Sequence, residues 1–295
     1  MQKVLIIGAK GMLGQELVKV FSVPSAQDEK KYEVVAWDKE EINITDEAQV
    51  KNKIRELAPQ IIINAAAYNS ADKCEEPEYF EVAKKINGLA PGYLAQVAKS
   101  LGAIFTHYST DYIFDGKNKD GYNESAFPSP ISKYGESKLL GEKQVAAVGG
   151  QYYIIRLQRL FGSPAKSIEA KKSFFDVMLK LSQEKKELGA VDEELANFTY
   201  APDLALQTKY LIEKKLPTGI YHITNEGSPA TWFGAAEALF KVAGVGGVKL
   251  IPLASSLFPR PAKRPKYSVL LNTKLPPLRP WNEALKEFLS ENKRS

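Results

Sequence analysis

Tyr134 and Lys138 stand four residues apart in the pentapeptide YGESK. On a helix such positions share one face, so a phenol and an ammonium can point into the same space. A nearby cation favours phenolate and pulls a phenol down from its usual pKa of about 10. Tyr134 then becomes a proton donor or acceptor near neutral pH. The spacing also occurs on ordinary amphipathic helices, so the pair needs a third group. HYSTDYIFDG (107–116) supplies one, because Thr110 closes an apolar run that reads as a strand. A strand-end hydroxyl, a helical tyrosine and a lysine one turn on form the set required for carbonyl reduction. The hydroxyl and phenol hydrogen-bond the carbonyl while a nicotinamide delivers hydride to its carbon.

A dinucleotide needs its own cradle. GAKGMLG places Gly8, Gly11 and Gly14 three residues apart between the apolar run KVLIIG and a helical pattern. Glycines there permit a tight turn, close approach of backbone N–H groups to a pyrophosphate, and helix packing on the sheet. The spacing is G-x-x-G-x-x-G, looser than the usual dinucleotide fingerprint. Asp38 ends the second apolar run, YEVVAWD, where an acid can accept hydrogen bonds from an adenosine ribose. It lies late, and the polar insert SVPSAQDEKK absorbs the excess. A carboxylate at that point favours NAD; the neighbouring cations Lys39 and Lys10 could tolerate the extra phosphate of NADP.

These groups need a sheet to hold them. Apolar runs at 3–8, 32–38, 60–67, 103–110 and 151–157 alternate with helical patterns. That alternation predicts a parallel sheet covered on both faces. TDEAQVKNKIRELAP reads as a helix opened by a Thr or Asp cap and stopped before a proline. The expected fold is α/β, a Rossmann-type doubly wound sheet over residues 1–160. A smaller, mainly substrate-binding region spans 161–295, with about 197–224 returning to the first domain. KSFFDVMLKLSQEKK and TWFGAAEALFKVAG read as amphipathic helices of that second region, and the tail LIPLASSLFPRPAKRPK as a proline-rich loop.

Composition narrows the setting. The chain has 295 residues and a net charge of +5, with basic stretches mostly interleaved with acids. That predicts no nucleic-acid partner. RPAKRPK (260–266) is a basic cluster without acids. One cysteine, Cys74, forbids an internal disulfide and suits a reducing cytoplasm. Its two histidines, His107 and His222, lie in apolar runs, which argues against a Ser-His-Asp triad or a histidine metal site. The apolar start MQKVLIIG is too short for a signal peptide, and no segment approaches membrane-spanning length.

With these motifs assembled, the chain resembles an extended short-chain dehydrogenase/reductase. Within that group it is similar to the dTDP-4-dehydrorhamnose reductases. The phrases that carry the likeness are GAKGMLG, NAAAYNSADKCE, KKINGLAPGYLA, YSTDYIFDG, SKYGESKLLGE, APDLA, GIYHITNEG and the tail KRPKYSVLLNTKL. The resemblance implies NADP- or NAD-dependent reduction of the 4-keto group of a nucleotide-linked deoxysugar. It implies that Tyr134 protonates the carbonyl oxygen, and that Lys138 binds the nicotinamide ribose and lowers the phenol's pKa. Thr110, with Ser109 as understudy, would hold the carbonyl, while Asp111 and Tyr112 line the sugar pocket. Gly8, Gly11, Met12, Leu13 and Gly14 would hold the pyrophosphate, Asn43 and Ile44 the adenine side, and Ala65, Ala66, Ala67 and Tyr68 the cofactor's middle. Asn87 would support the site from the helix before the catalytic strand. Arg264, in a segment that in the family lies near the sugar nucleotide, would grip the substrate diphosphate. A homodimer is among the family's expectations; no metal ligands are assigned.

The departures fall in the substrate half. RLQRLFG puts Arg159 where the family carries a tryptophan, and DEELANFTY (192–200) lacks the family's glycine and proline. A guanidinium in place of a stacking aromatic changes the shape and charge of the pocket. Two other readings share the scaffold: a nucleotide-sugar epimerase or dehydratase, and a non-catalytic regulatory subunit like the methionine adenosyltransferase beta subunit.

Overall fold

The computed structural model describes residues 1–23, 31–166 and 172–292; most of the polar insert before the second strand lies outside them. Six strands form one sheet: β1 (Gln2–Ile7), β2 (Tyr32–Trp37), β3 (Ile61–Asn64), β4 (Ile104–Thr110), β5 (Tyr152–Leu157) and β9 (Gly219–His222). Between them run α1 (Met12–Ser22), α2 (Glu47–Leu57), α3 (Pro77–Ala83), α4 (Ala90–Leu101), α5 (Lys133–Val148) and α7 (Ala201–Glu213). Among the described residues, three two-stranded ribbons complete the strands. They are β6 (Leu160–Phe161) with β8 (Thr199–Tyr200), β7 (Glu187–Val191) with β11 (Lys249–Leu253), and β10 (Asn225–Glu226) with β12 (Leu278–Pro280). The remaining helices are α6 (Phe174–Glu184), α8 (Trp232–Ala243) and α9 (Trp281–Asn292).

The six-stranded sheet is parallel throughout, in the order β2-β1-β3-β4-β5-β9. Side-chain alternation explains why both faces are covered. Val4 and Ile6 join the core beneath α1 and α7, while Leu5 and Ile7 join that beneath α2, α4 and α5. A third core is aromatic, with Phe161, Phe175, Phe198, Trp281 and Phe288 gathering α6, α8 and α9.

Register then decides where the loops emerge. Ile7 is level with Trp37 on one side and Asn64 on the other, and Asn64 is level with His107. Gly8, Asp38 and Ala65 therefore leave the sheet side by side. From β1 the chain turns one way to β2, then crosses back to β3 on the other side. The loops part at that switch, and the crevice they leave is where such sheets bind ligands.

Caps end the helices as the residues dictate. Asp46 caps α2 by accepting from the Gln49 N–H, and Ala58 closes it in a left-handed turn just before Pro59. Ser132 caps α5 by accepting from the Gly135 N–H, which starts the helix at Lys133, just ahead of Tyr134. Between α3 and α4 the helix widens into a π turn over Lys84–Leu89. Asn87 is buried inside that turn rather than at a helix end.

Candidate active site

Gly8, Gly11 and Gly14 prove to be glycine for different reasons. Gly8 has φ +80, and a Cβ there would meet the Ala66 nitrogen at 2.6 Å. A Cβ on Gly14 would lie 2.0 Å from the Gly8 carbonyl oxygen, so this glycine lets α1 approach the strand turn. Gly11 is different: its Cβ would come no closer to the protein than 3.2 Å, to the Gly8 oxygen. It also caps α1 without a side-chain hydrogen bond. First-turn N–H groups lack intrahelical acceptors, which makes such a terminus an anion site. Met12 opens α1 beside it, and Leu13 is buried in the core.

Asp38 braces this loop. Its carboxylate accepts from the Lys10 N–H at 2.9 Å and from the Lys39 N–H at 2.9 Å. The Lys10 ammonium pairs with Glu40 at 3.0 Å. Across the switch, Ala65 donates to the Ile7 carbonyl at 2.8 Å and Ala66 to the Asn64 side chain at 3.2 Å. The Tyr68 backbone is held at both ends by Asn87, which accepts from its N–H at 2.8 Å and donates to its carbonyl at 2.9 Å. The Asn87 amide also donates to Ser137 Oγ on α5 at 3.0 Å. Asn87 thereby joins the loop after β3 to the helix that bears Tyr134. Ala67 lies between these tethered residues. Asn43 folds its side chain into a local turn with Thr45, and Ile44 is buried against the α2 core.

The reactive groups meet at the end of β4. Thr110 is buried; its hydroxyl donates to Asp111 Oδ1 at 3.0 Å and accepts from the Tyr112 N–H at 3.2 Å. Tyr134 is half-buried, its ring edge-on to Tyr112 with centroids 5.6 Å apart. Its hydroxyl donates to Asn69 Oδ1 over a long 3.4 Å. Burial pushes the phenol upward, Asp111 and Tyr112 add to this, and the Thr110 hydroxyl opposes it. The expected depression by Lys138 is therefore not what this protein by itself provides. Desolvation dominates, and Tyr134 keeps its proton through neutrality. Lys138 is 2% exposed, and its ammonium donates to the Tyr108 carbonyl at 2.5 Å. Burial lowers it to about 8, with Glu142 opposing. Ser109 is buried with its hydroxyl unpartnered.

Asp111 continues the site toward the tail, accepting from Ser268 Oγ at 2.6 Å. Burial raises its carboxyl, against the bonds from Ser268 and Thr110. Tyr112 is pushed up to about 12 by burial. Arg159 sits at φ +33, a left-handed backbone that Arg rarely adopts. Its guanidinium donates to the Ala230 carbonyl at 2.8 Å and the Glu194 carbonyl at 2.7 Å, and lies 4.0 Å from the Trp232 ring centre. Burial lowers it to about 10. Arg264 donates to Asp72 Oδ2 at 2.7 Å and to the Ala262 carbonyl at 2.7 Å, beside the Tyr112 ring. Burial is the strongest single influence and disfavours its charge, but the Asp72 bond together with the nearby Tyr112, Asp72 and Glu194 charges raises it overall.

Sequence reasoning missed several of these partners. Asn69 and Asp72 lie in NAAAYNSADKCE, where the resemblance assigns a role only to Ala65 through Tyr68. TWFGAAEALFKVAG predicts Trp232 only as part of an amphipathic helix, yet its indole donates to Glu194 Oε2 at 2.8 Å while Arg260 pairs with the same carboxylate. An aromatic thus returns to the neighbourhood of Arg159 from elsewhere in the chain, and no local signal announces it.

A nicotinamide dinucleotide fits this cleft. Gly11 exposes backbone N–H groups at a helix start with no side-chain cap, Ser109 has an unpartnered buried hydroxyl, and the buried Lys138 ammonium has donors beyond its Tyr108 bond. Among the described residues no group of three or more His, Cys, Asp or Glu side chains could hold a metal ion, and no helix is long and apolar enough to cross a membrane.

Comparison with known proteins agrees with this geometry. A family model described as the RmlD substrate binding domain matches residues 1–294. The spore coat polysaccharide biosynthesis protein SpsK of Bacillus subtilis is 34% identical over 99% of this chain and 98% of its own. The crystal structure of a dTDP-4-dehydrorhamnose reductase from Clostridium acetobutylicum superposes with a TM-score of 0.89, at 36% identity over 99% of both chains. That of the Bacillus anthracis dTDP-4-dehydrorhamnose reductase, in complex with NADP, also gives a TM-score of 0.89, at 31% identity over 98% of this chain and 99% of that one. Whole-chain likeness of this kind extends through both the sheet and the aromatic lobe, and the chain belongs to the dTDP-4-dehydrorhamnose reductase family.

Proposed function

We propose that this protein reduces the 4-keto group of a nucleotide-activated deoxysugar, using NADPH or NADH. The observation that carries the reading is the convergence of Thr110, Tyr134 and Lys138 at the end of β4, on the sheet edge that also carries the open glycine loop. When bound, the nicotinamide supplies the hydride. Gly8 to Gly14 and Ala65 to Tyr68 bind the dinucleotide, and Lys138 holds its nicotinamide ribose. Thr110 donates a hydrogen bond to the sugar carbonyl. Tyr134, still protonated at neutral pH, gives its proton to the carbonyl oxygen as charge develops there. The Lys138 ammonium then offsets the phenolate left behind. Asp111 and Tyr112 line the sugar side, and Arg159 and Arg264 border it. In this reading residues 1–160 form the cofactor half and 161–295 mainly the substrate half, with about 197–224 returning to the first. Cytoplasmic location and a homodimer belong to the same reading.

The test is NAD(P)H oxidation at 340 nm against a panel of nucleotide-linked 4-keto-sugars. Turnover with at least one is expected. If none turns over although NAD(P)H binds, the regulatory-subunit reading replaces this one.

A further inference from the structure

We propose that Glu142 is a positioning residue for the reduction: one turn beyond Lys138 and gripped by Arg156, it seats α5 on the sheet and keeps the Lys138 ammonium charged. The inference rests on the proposed reductase reading. Tyr134, Lys138 and Glu142 follow one another at four-residue spacing along a single stripe of α5. Glu142 is 4% exposed and Arg156, on β5, 1%. Arg156 Nε donates to Glu142 Oε1 at 3.0 Å and its NH2 group to Oε2 at 2.7 Å. A two-pronged contact of this sort fixes both the roll and the height of a helix, which a single hydrogen bond cannot do. The adjoining residue is just as constrained, since a Cβ on Gly141 would lie 2.2 Å from the Asn87 carbonyl oxygen. With α5 seated this way, Lys138 reaches the Tyr108 carbonyl.

Charge supplies the second argument. Lys138 and Arg156 are both buried cations, and Glu142 is the carboxylate paired with Arg156 among the described residues. The groups turned toward Lys138 are few. Its own helix brings Tyr134 and Glu142. From β4 comes His107, which burial and the Lys138 charge hold neutral. From β5 comes Arg156, attached to Glu142. The turn after β4 brings Asp111 and Tyr112, and the 73–75 turn Cys74, all acting on Tyr134. The π turn offers only the neutral Asn87, on Ser137. Beyond Arg156, His222 is held at about 4 by burial and by Arg156, so it adds no cation at neutral pH. Glu142 is thus what opposes burial at Lys138.

The experiment is a pH titration of the Lys138 ¹³Cε resonance in full-length, ligand-free protein, assigned with Lys138→Arg. Wild type should titrate near 8. Glu142→Gln should lower the midpoint by about one unit or more, and Arg156→Gln should raise it. Glu142→Asp, with the charge kept but its reach shortened, should fall between Glu142→Gln and wild type. In each variant the alkaline limb of kcat should move with the midpoint. A purely structural role would lower thermal stability and leave the midpoint in place. An unmoved midpoint in folded Glu142→Gln overturns the proposal. If neither neutral variant folds, an unmoved midpoint in Glu142→Asp does so. The titration needs no substrate, so failure of keto-sugar turnover would strike the proposed function without altering this result.

Discussion

Around the glycine loop, position is set by backbone. Gly8 abuts Ala66, Gly14 abuts the Gly8 carbonyl, and the Asp38 carboxylate is spent on two backbone N–H groups. Around Arg159, position is set by long side chains drawn from distant segments. Glu194 gathers Trp232 and Arg260, while Asp72 reaches across to Arg264. Backbone contacts tolerate few residue types, so the first region reads clearly in a single sequence. Ion pairs can be rebuilt from many residues, so the second region can change its charge and shape while the sheet stays as it is. Under the proposed function, this contrast would put the cofactor against backbone-defined contacts and the sugar against side-chain-defined ones.

The largest effect should come where the two halves meet. Tyr134→Phe keeps the volume and removes the proton, so kcat should fall about 10²-fold or more with KM little changed. Steady-state kinetics with the best keto-sugar would measure it, and full activity would mean that another group donates.

Next, the backbone-defined contacts can be broken in two distinct ways. Gly11→Val should abolish most NAD(P)H binding with a smaller loss of stability than at Gly14, because its Cβ would press on the Gly8 carbonyl oxygen at 3.2 Å, a contact that a shift of a few tenths of an ångström relieves. Gly14→Ala should instead lose about 1–3 kcal/mol of stability, since its Cβ meets the Gly8 carbonyl. Fluorescence titration with NADPH and urea unfolding separate the two. Equal stability losses would erase the distinction drawn here.

Among the side-chain-defined contacts, Arg264→Ala should raise KM for the nucleotide-sugar about tenfold, some 1.4 kcal/mol, at constant NAD(P)H affinity. The pairing with Asp72 sharpens this test. If Arg264 serves the diphosphate, Asp72→Asn should release it and leave KM equal or lower. If the pair merely anchors the tail, both variants should raise KM alike.

The smallest effect is on pH. Lys138 carries its charge below about 8 and loses it above, so its help is present at lower pH and fades as pH rises through that value. Tyr134, pushed upward by burial, stays protonated over the same range. The pH profile of kcat should therefore show one alkaline limb, with kcat about half maximal near 8. A profile flat from 7 to 10 would detach Lys138 from the chemistry.

Much of this was legible beforehand. The alternation of apolar runs and helical patterns specified a doubly wound sheet, because a strand buried on both faces must be apolar throughout. Four-residue spacing put Tyr134 and Lys138 on one stripe of α5, since local helix geometry needs no tertiary information, while the part played by Glu142 came only with Arg156 from β5. Glycine spacing marked the loop, although it did not reveal that a side chain at Gly14 collides with the Gly8 carbonyl far more severely than one at Gly11. Tertiary structure alone decided the rest. Asn87 joined the loop after β3 to α5, and Trp232 came to lie on Arg159 across 73 residues of chain. It also reversed the expected shift of Tyr134, for a pKa depends on how much water is removed as well as on which charges are near. Spacing along a chain reports neighbours within an element; desolvation and contacts between elements exist only once the chain has folded.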